Sequence, residues 1–403
     1  MHKQQLRMID LFAGAGGLSE GLSEAGFKSL YANEIQRRYA ETYSINHPET
    51  FMDQRDIRIV DAGLVREKLN LQKGDLDLIA GGPPCQGFSI NAPKRCSSDE
   101  RNHLFKEYLR FVEEFNPRSV IVENVPGLVS FEGGGTLEAI LAALDELGYR
   151  ADVKILYAPH FGVPQTRWRT VVIGFRDDHD PLSAFPEPVR YAPMRVNFTS
   201  SFAGKNIVAL PKQVELPSFT SVSDAIGDLP ELRNGESGKE IKRYRTDPQN
   251  DFQLAMRTGS RGVLNHEAAR LGKTNMERLR HIPPGGNWTS IPFELLPKGM
   301  QRARRTDHTK RYGRVDPSGL ASTILTKCDP HWGAYFHYDQ DRAFTVREAA
   351  RLQTFPDTFQ FVGSRVEQYE QVGNAVPPLL GAAIGQSVAR TLGVVSDQLV
   401  RAI

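Results

Sequence analysis

From residue 7 to about residue 175 the chain alternates short β-rich runs with amphipathic stretches, which restricts it to a sheet whose crossovers are helices. The predicted strands are residues 8–12, 29–33, 76–80, 119–123, 153–157 and 170–175. Helical stretches fall between them at 18–25, 39–46, 104–115 and 137–147. In the last of these Leu137, Ile140, Leu141, Leu144 and Leu147 keep one apolar face, and Gly148 ends it. The expected fold class is α/β, a doubly wound and mostly parallel sheet with helices on both faces. After about Asp177 proline, glycine and charge dominate, so a second, irregular, β-containing domain is expected there. Helical patterns return at 346–353 and 379–392. The predicted organisation is a first domain at 1–180, a second at 181–365 and a C-terminal segment at 366–403.

The 50 Lys and Arg against 48 Asp and Glu leave a net charge of only +2, so a nucleic-acid surface must come from local clustering. Lys242-Arg-Tyr-Arg245 and the stretch 302–314 are such clusters, readable as solvated faces or as phosphate contacts. Three distant cysteines form neither a disulfide framework nor metal spacing, so no metal is expected and a reducing cytoplasm fits. The first eight residues are polar, and no window approaches the roughly 20 apolar residues of a membrane span.

Asp10-Leu-Phe-Ala-Gly-Ala-Gly-Gly-Leu-Ser19 follows the first strand and opens a helix, with glycines that let backbone approach a ligand. Ser19 stands where a dinucleotide fingerprint wants Gly or Ala, which disfavours a nicotinamide oxidoreductase. Glu34, 20 residues after Gly14, ends the second strand, where a carboxylate commonly binds ribose hydroxyls. Asp56 before Ile57 fits an adenine amino group, or equally a helix cap or solvated charge. Gly81-Gly-Pro-Pro-Cys-Gln-Gly-Phe-Ser89 puts Cys85 in a stiff loop at a strand's carboxyl end, the edge where open α/β sheets bind ligands. Glu123-Asn-Val-Pro126 reaches that same edge as a base-binding carboxylate or a cap. In Gln165-Thr-Arg-Trp-Arg169 two arginines share one face of an extended segment.

In order, and over nearly the whole chain, these motifs resemble those of the cytosine-5 DNA methyltransferases. The match continues with Asn102-His-Leu-Phe105, Arg347-Glu-Ala-Ala-Arg-Leu-Gln-Thr-Phe-Pro356 and Gly373-Asn-Ala-Val-Pro-Pro378. The resemblance implies a catalytic domain that binds S-adenosylmethionine, a variable target-recognition domain, and a last helix returning to the first. It makes Cys85 the nucleophile that attacks carbon 6 of a flipped-out cytosine, with transfer to carbon 5. Glu123 would hold N3 and the 4-amino group, while Arg169, with Arg167 nearby, would donate toward O2. Phe12, Gly14, Gly16, Leu18, Glu34, Asp56, Ile57, Gly82, Pro84, Leu104, Asn374 and Val376 would bind the cofactor, with Phe12 and Ile57 sandwiching adenine. The loop 90–101 would close over the DNA.

The implied partner is double-stranded DNA, methylated in a short specific sequence by a monomeric cytoplasmic enzyme of a restriction-modification system with a cognate endonuclease. A transfer-RNA methyltransferase and a catalytically silent DNA-binding protein are the rivals. The long segment 177–342 favours DNA over transfer RNA, and intact Cys85, Glu123 and Arg169 disfavour silence. Cys96 and Cys328 are expected in packing or surface positions.

Overall fold

The computed structural model describes residues 5–84, 104–194, 196, 206–212, 215–238, 241–307 and 309–394. It divides into two compact units. The first comprises 1–161, 168–217 and 378–403, and the second 162–167 and 218–377. The boundaries thus fall at 217 and 377, where the sequence analysis drew them at 180 and 365.

The first unit is built on a seven-stranded sheet. Its strands are β1 (Leu6–Leu11), β2 (Phe27–Asn33), β3 (Phe51–Asp53), β4 (Leu78–Gly81), β5 (Ser119–Asn124), β6 (Arg150–Tyr157) and β7 (Trp168–Phe175), in the order β3-β2-β1-β4-β5-β7-β6. All neighbours are parallel except those of β7, which runs antiparallel to both β5 and β6. The β6–β7 connection carries a 3₁₀ turn, Ala158–Phe161, and no α-helix, so the chain reverses instead of crossing over. Helices α1 (Gly17–Glu24), α2 (Arg37–Asn46), α3 (Ala62–Lys68), α4 (Leu104–Phe115) and α5 (Gly135–Glu146) supply the crossovers. β3 escaped the sequence reading because three residues are too few to show a period.

Tyr108, Phe111, Val112 and Phe115 of α4 share one face, and all four are buried against the sheet. The Tyr108 hydroxyl donates between the carbonyls of Ile79 and Ile121, tying α4 to β4 and β5. Gly81 has to be glycine, since a Cβ there would stand 2.7 Å from the Leu11 carbonyl and 3.1 Å from the Tyr108 ring. The terminal helix, Pro378–Thr391, lies on α1 at backbone contact distance. A Cβ on Gly21 would come within 2.2 Å of the Pro378 carbonyl, and one on Gly385 within 2.7 Å of Ala25 Cβ.

Among its described residues the second unit contains short helices and isolated bridges, such as Lys242 with Val263 and Arg314 with Phe336, and no strand element. Its interior holds ionic groups. Arg342 forks onto Glu348 at 2.8 and 2.6 Å, Arg351 onto Asp357 at 2.7 Å twice, and Arg347 donates to the carbonyls of Leu264, Pro356 and Phe359. All three arginines are fully buried. Among the described residues no helix is long and apolar enough to cross a membrane.

Candidate active site

The strand order reverses at β1 and β4, and the loops leaving their carboxyl ends make a ligand-binding edge. The turn after β1 is backbone-driven. Phe12, Gly14 and Gly16 all have positive φ, at 59°, 58° and 98°. Phenylalanine adopts that region only where surrounding structure imposes it, a form of strain that clusters at ligand sites. The imposing contacts are the Ala13 N–H on the Asn33 carbonyl at 3.0 Å and the Gly14 N–H on Glu34 Oε2 at 2.9 Å. Glu34 Oε1 accepts from the Gln36 N–H at 2.7 Å, so this carboxylate binds the glycine loop and the start of α2 together. Burial pushes the Glu34 carboxyl upward, against both backbone donors.

Asp56 caps the turn at Ile57–Ile59, taking the Arg58 N–H at 3.0 Å and pairing with its guanidinium, which holds the carboxyl below its usual range. Ile57 and Leu18 are buried, while Phe12 and Leu104 pack half-buried against the core. This arrangement fits a nucleoside cofactor. Gly14 leaves open space where a side chain would stand, and carboxylates end adjacent strands.

A hydroxyl relay beneath this loop was not legible in the sequence. Ser19 donates to Asp10 at 2.6 Å, the Tyr43 hydroxyl lies 2.8 Å from Ser19, and Ser29 lies 3.0 Å from Tyr43. All four residues are buried. The Tyr43 ring packs on His47, and a Cβ on Gly16 would stand 2.8 Å from the His47 ring nitrogen. Burial pushes the Asp10 carboxyl up to about 7, with the Glu34 charge adding and the Ser19 hydrogen bond opposing. Burial also drives His47 down to about 4, which keeps it neutral against the loop. Ser19, the departure from a dinucleotide fingerprint, was the available signal.

On the other side of β4, half-buried Glu123 near the end of β5 forms an ion pair with buried Arg169 of β7. A Cβ on Gly82 would meet Glu123 Oε2 at 3.2 Å, so the carboxylate stands against the Gly82 backbone. Asn124 donates from Nδ2 to the Pro83 carbonyl at 3.0 Å, which pins the entry to the Pro83-Pro84 segment. Desolvation lowers the Arg169 proton affinity and the Glu123 charge restores part of it; a guanidinium stays charged either way. Cys85, the loop 90–101 and Cys96 lie outside the described residues.

Arg167 departs from the predicted pairing with Arg169. It belongs to the second unit, where its guanidinium donates to the carbonyls of Ile324, Gly373 and Ala375, so it serves that unit's backbone. Period-two alternation failed because β7 starts only at Trp168. Asn374 is the exposed last residue of helix Arg365–Asn374, and Val376 is buried just beyond it.

The basic clusters separate as well. Lys242 pairs with Glu236, Arg245 with Glu231, and the Tyr244 hydroxyl donates to Asp357, so that cluster largely serves internal contacts. Arg302, Arg304 and Arg305 are exposed and form no ion pair among the described residues. Cys328 is a buried thiol, pushed up by burial.

The family model for C-5 cytosine-specific DNA methylases matches residues 6–390. Type II methyltransferase M.AgeI of Thalassovita gelatinovora is 34% identical, over 95% of this chain and 99% of its own. Type II methyltransferase M1.HphI of Haemophilus parahaemolyticus is 35% identical, over 96% and 87%. A crystal structure of a DNA modification methyltransferase encoded within an E. coli prophage aligns with TM-score 0.72 and 25% identity, over 96% of this chain and 99% of that one.

Proposed function

Because the chain belongs to the C-5 cytosine-specific DNA methylase family and is a DNA (cytosine-5)-methyltransferase, we propose that it methylates a flipped-out cytosine through a transient bond from Cys85. The observation that carries this reading is the Glu123–Arg169 ion pair held against Gly82, three residues before Cys85.

S-Adenosylmethionine, when bound, supplies an electrophilic methyl group. Phe12 and Ile57 would flank its adenine, Asp56 would accept from the adenine amino group, and Glu34 would take the ribose hydroxyls. Gly14, Gly16, Leu18, Gly82, Pro84 and Leu104 would line the same edge, with Asn374 and Val376 keeping the role the family resemblance gives them.

Extruding the base costs a few kcal/mol of stacking and pairing, because carbon 6 is out of reach inside the duplex. Glu123 then takes N3 and the 4-amino group while Arg169 donates to O2, two contacts that strengthen as charge develops on the ring. Cys85, as thiolate, adds its electron pair to carbon 6 and makes carbon 5 nucleophilic. Once carbon 5 has taken the methyl group, with the donor sulfur left as a neutral thioether, loss of the carbon 5 proton to a base lets the bond from carbon 6 to Cys85 break and returns the thiolate.

The enzyme acts as a monomer on a short duplex sequence in the cytoplasm, beside an endonuclease of the same specificity. The test is transfer of labelled methyl from S-adenosylmethionine to unmethylated DNA, followed by bisulfite sequencing, with transfer RNA as a parallel substrate. Methylation in one sequence context, abolished in Cys85→Ala with cofactor affinity kept within about tenfold, is the expected result. Substantial methylation by Cys85→Ala overturns the nucleophile assignment.

A further inference from the structure

The second unit carries an exposed aromatic platform that the catalytic assignments leave unused. Trp332 is 53% exposed, whereas Trp288 of the same unit is 3% exposed in its core. The Arg311 guanidinium lies over the Trp332 ring at 5.0 Å, and the His331 ring meets it edge-on at 5.1 Å.

This platform is rigid. The Tyr312 N–H donates to the Pro330 carbonyl at 2.7 Å, the Tyr312 hydroxyl lies 3.0 Å from His331 Nδ1, and the Gly313 N–H donates to the Gly333 carbonyl at 3.3 Å. A Cβ on Gly313 would stand 2.5 Å from Ala334 Cβ, so the two loops touch. Two segments joined by these bonds are strongly basic. Arg302, Arg304, Arg305, Lys310 and Arg311 face only Asp307 and Asp329 in 302–311 and 329–332, with Arg302, Arg304, Arg305 and Lys310 exposed. An exposed indole beneath a guanidinium, in a basic stretch of chain, suits a polyanion that also offers flat apolar surface.

We propose that the Trp332–Arg311 platform is a duplex-DNA contact, in which the indole packs against bases or sugars in a groove and Arg311 holds a flanking phosphate. The proposal rests on the DNA methyltransferase reading and assigns part of its DNA surface. Trp and Arg also anchor protein interfaces, but five cations against two acids in these segments favour a polyanion.

The test uses the full chain with an unmethylated duplex fragment, followed by intrinsic fluorescence and by binding at several salt concentrations. Trp168 is half-buried and Trp288 buried, so the emission of Trp332 reports most directly on ligand at the surface. Duplex is expected to change the wild-type emission. Trp332→Ala should lose that change and bind about tenfold more weakly, a typical size for loss of one aromatic–base contact. Trp332→Phe should recover most of the affinity, and Arg311→Ala should lower the salt slope by about 0.9. S-Adenosylmethionine affinity and thermal midpoint should stay at the wild-type values in all three variants. Duplex binding by Trp332→Ala as tight as that of the wild type overturns the proposal alone. Failure of the wild type to bind any duplex overturns the methyltransferase reading and the proposal with it.

Discussion

Glu123 and Arg169 form an ion pair between the antiparallel strands β5 and β7, with Glu123 registered on Val171 and Arg169 on Leu156 of β6. The one reversed strand of the sheet is thus what delivers the arginine to the carboxylate. Glu123→Gln keeps the shape and removes the charge, so turnover should fall roughly 100-fold, as for loss of one preorganised electrostatic contact. Arg169→Ala leaves the half-buried carboxylate unpaired, and should destabilise the fold by about 1–3 kcal/mol. Single-turnover methylation and thermal unfolding measured together separate the two effects; equal stability losses in both variants would contradict this division.

Asn124 holds the Pro83 carbonyl two residues before Cys85. Asn124→Ala should reduce the single-turnover rate by roughly tenfold through misplacement of that loop, while calorimetric cofactor affinity remains. Asn124→Asp, which cannot donate when ionised, should behave the same way; a wild-type rate in either variant removes the positioning role.

Gly21 of α1 leaves no room for a side chain against the terminal helix. Gly21→Ala should lower stability by about 1–3 kcal/mol despite alanine's better helix propensity, because its methyl group would overlap the Pro378 carbonyl. Denaturant unfolding is the measurement, and a stabilised variant would mean that the helices can separate freely.

Asp10 makes stability depend on pH. Its carboxyl is raised from the usual 3.8 to about 7, so between those values the folded state binds the proton that the unfolded state has released. Stability from this group is therefore fully present below the unfolded value and is lost as pH rises toward 7, at up to about 1.4 kcal/mol per pH unit. Asp10→Asn should flatten that slope in chemical unfolding. Glu20, raised by burial to about 7 in the same direction, accounts for a residual slope; an unaltered slope would show that Asp10 titrates normally.

Much of the first unit was legible because its signals are local. Tyr108, Phe111, Val112 and Phe115 show the period of a buried helix face in sequence alone, and Gly81 after a strand run and Gly148 after a helix mark their ends. Glu34 and Glu123 were readable as strand-end carboxylates for a related reason, Glu34 from its place 20 residues after Gly14 and Glu123 from Pro126 just beyond it. Ser19 and Tyr43 are 24 residues apart and join only when α1 and α2 pack on β1 and β2, so no periodicity announces their relay to Asp10.

By itself the sequence determined the alternation of strands and helices, the order of the motifs, and the chemical types brought to one sheet edge, since these follow from short-range sterics and hydrophobic period. Only the tertiary structure decided the reversal of β7, the diversion of Arg167 to carbonyls of the second unit, and the burial of Arg342, Arg347 and Arg351 beside acids or carbonyls. A charged side chain reads as surface until a distant partner offsets its desolvation, and that partner exists only once the chain has folded.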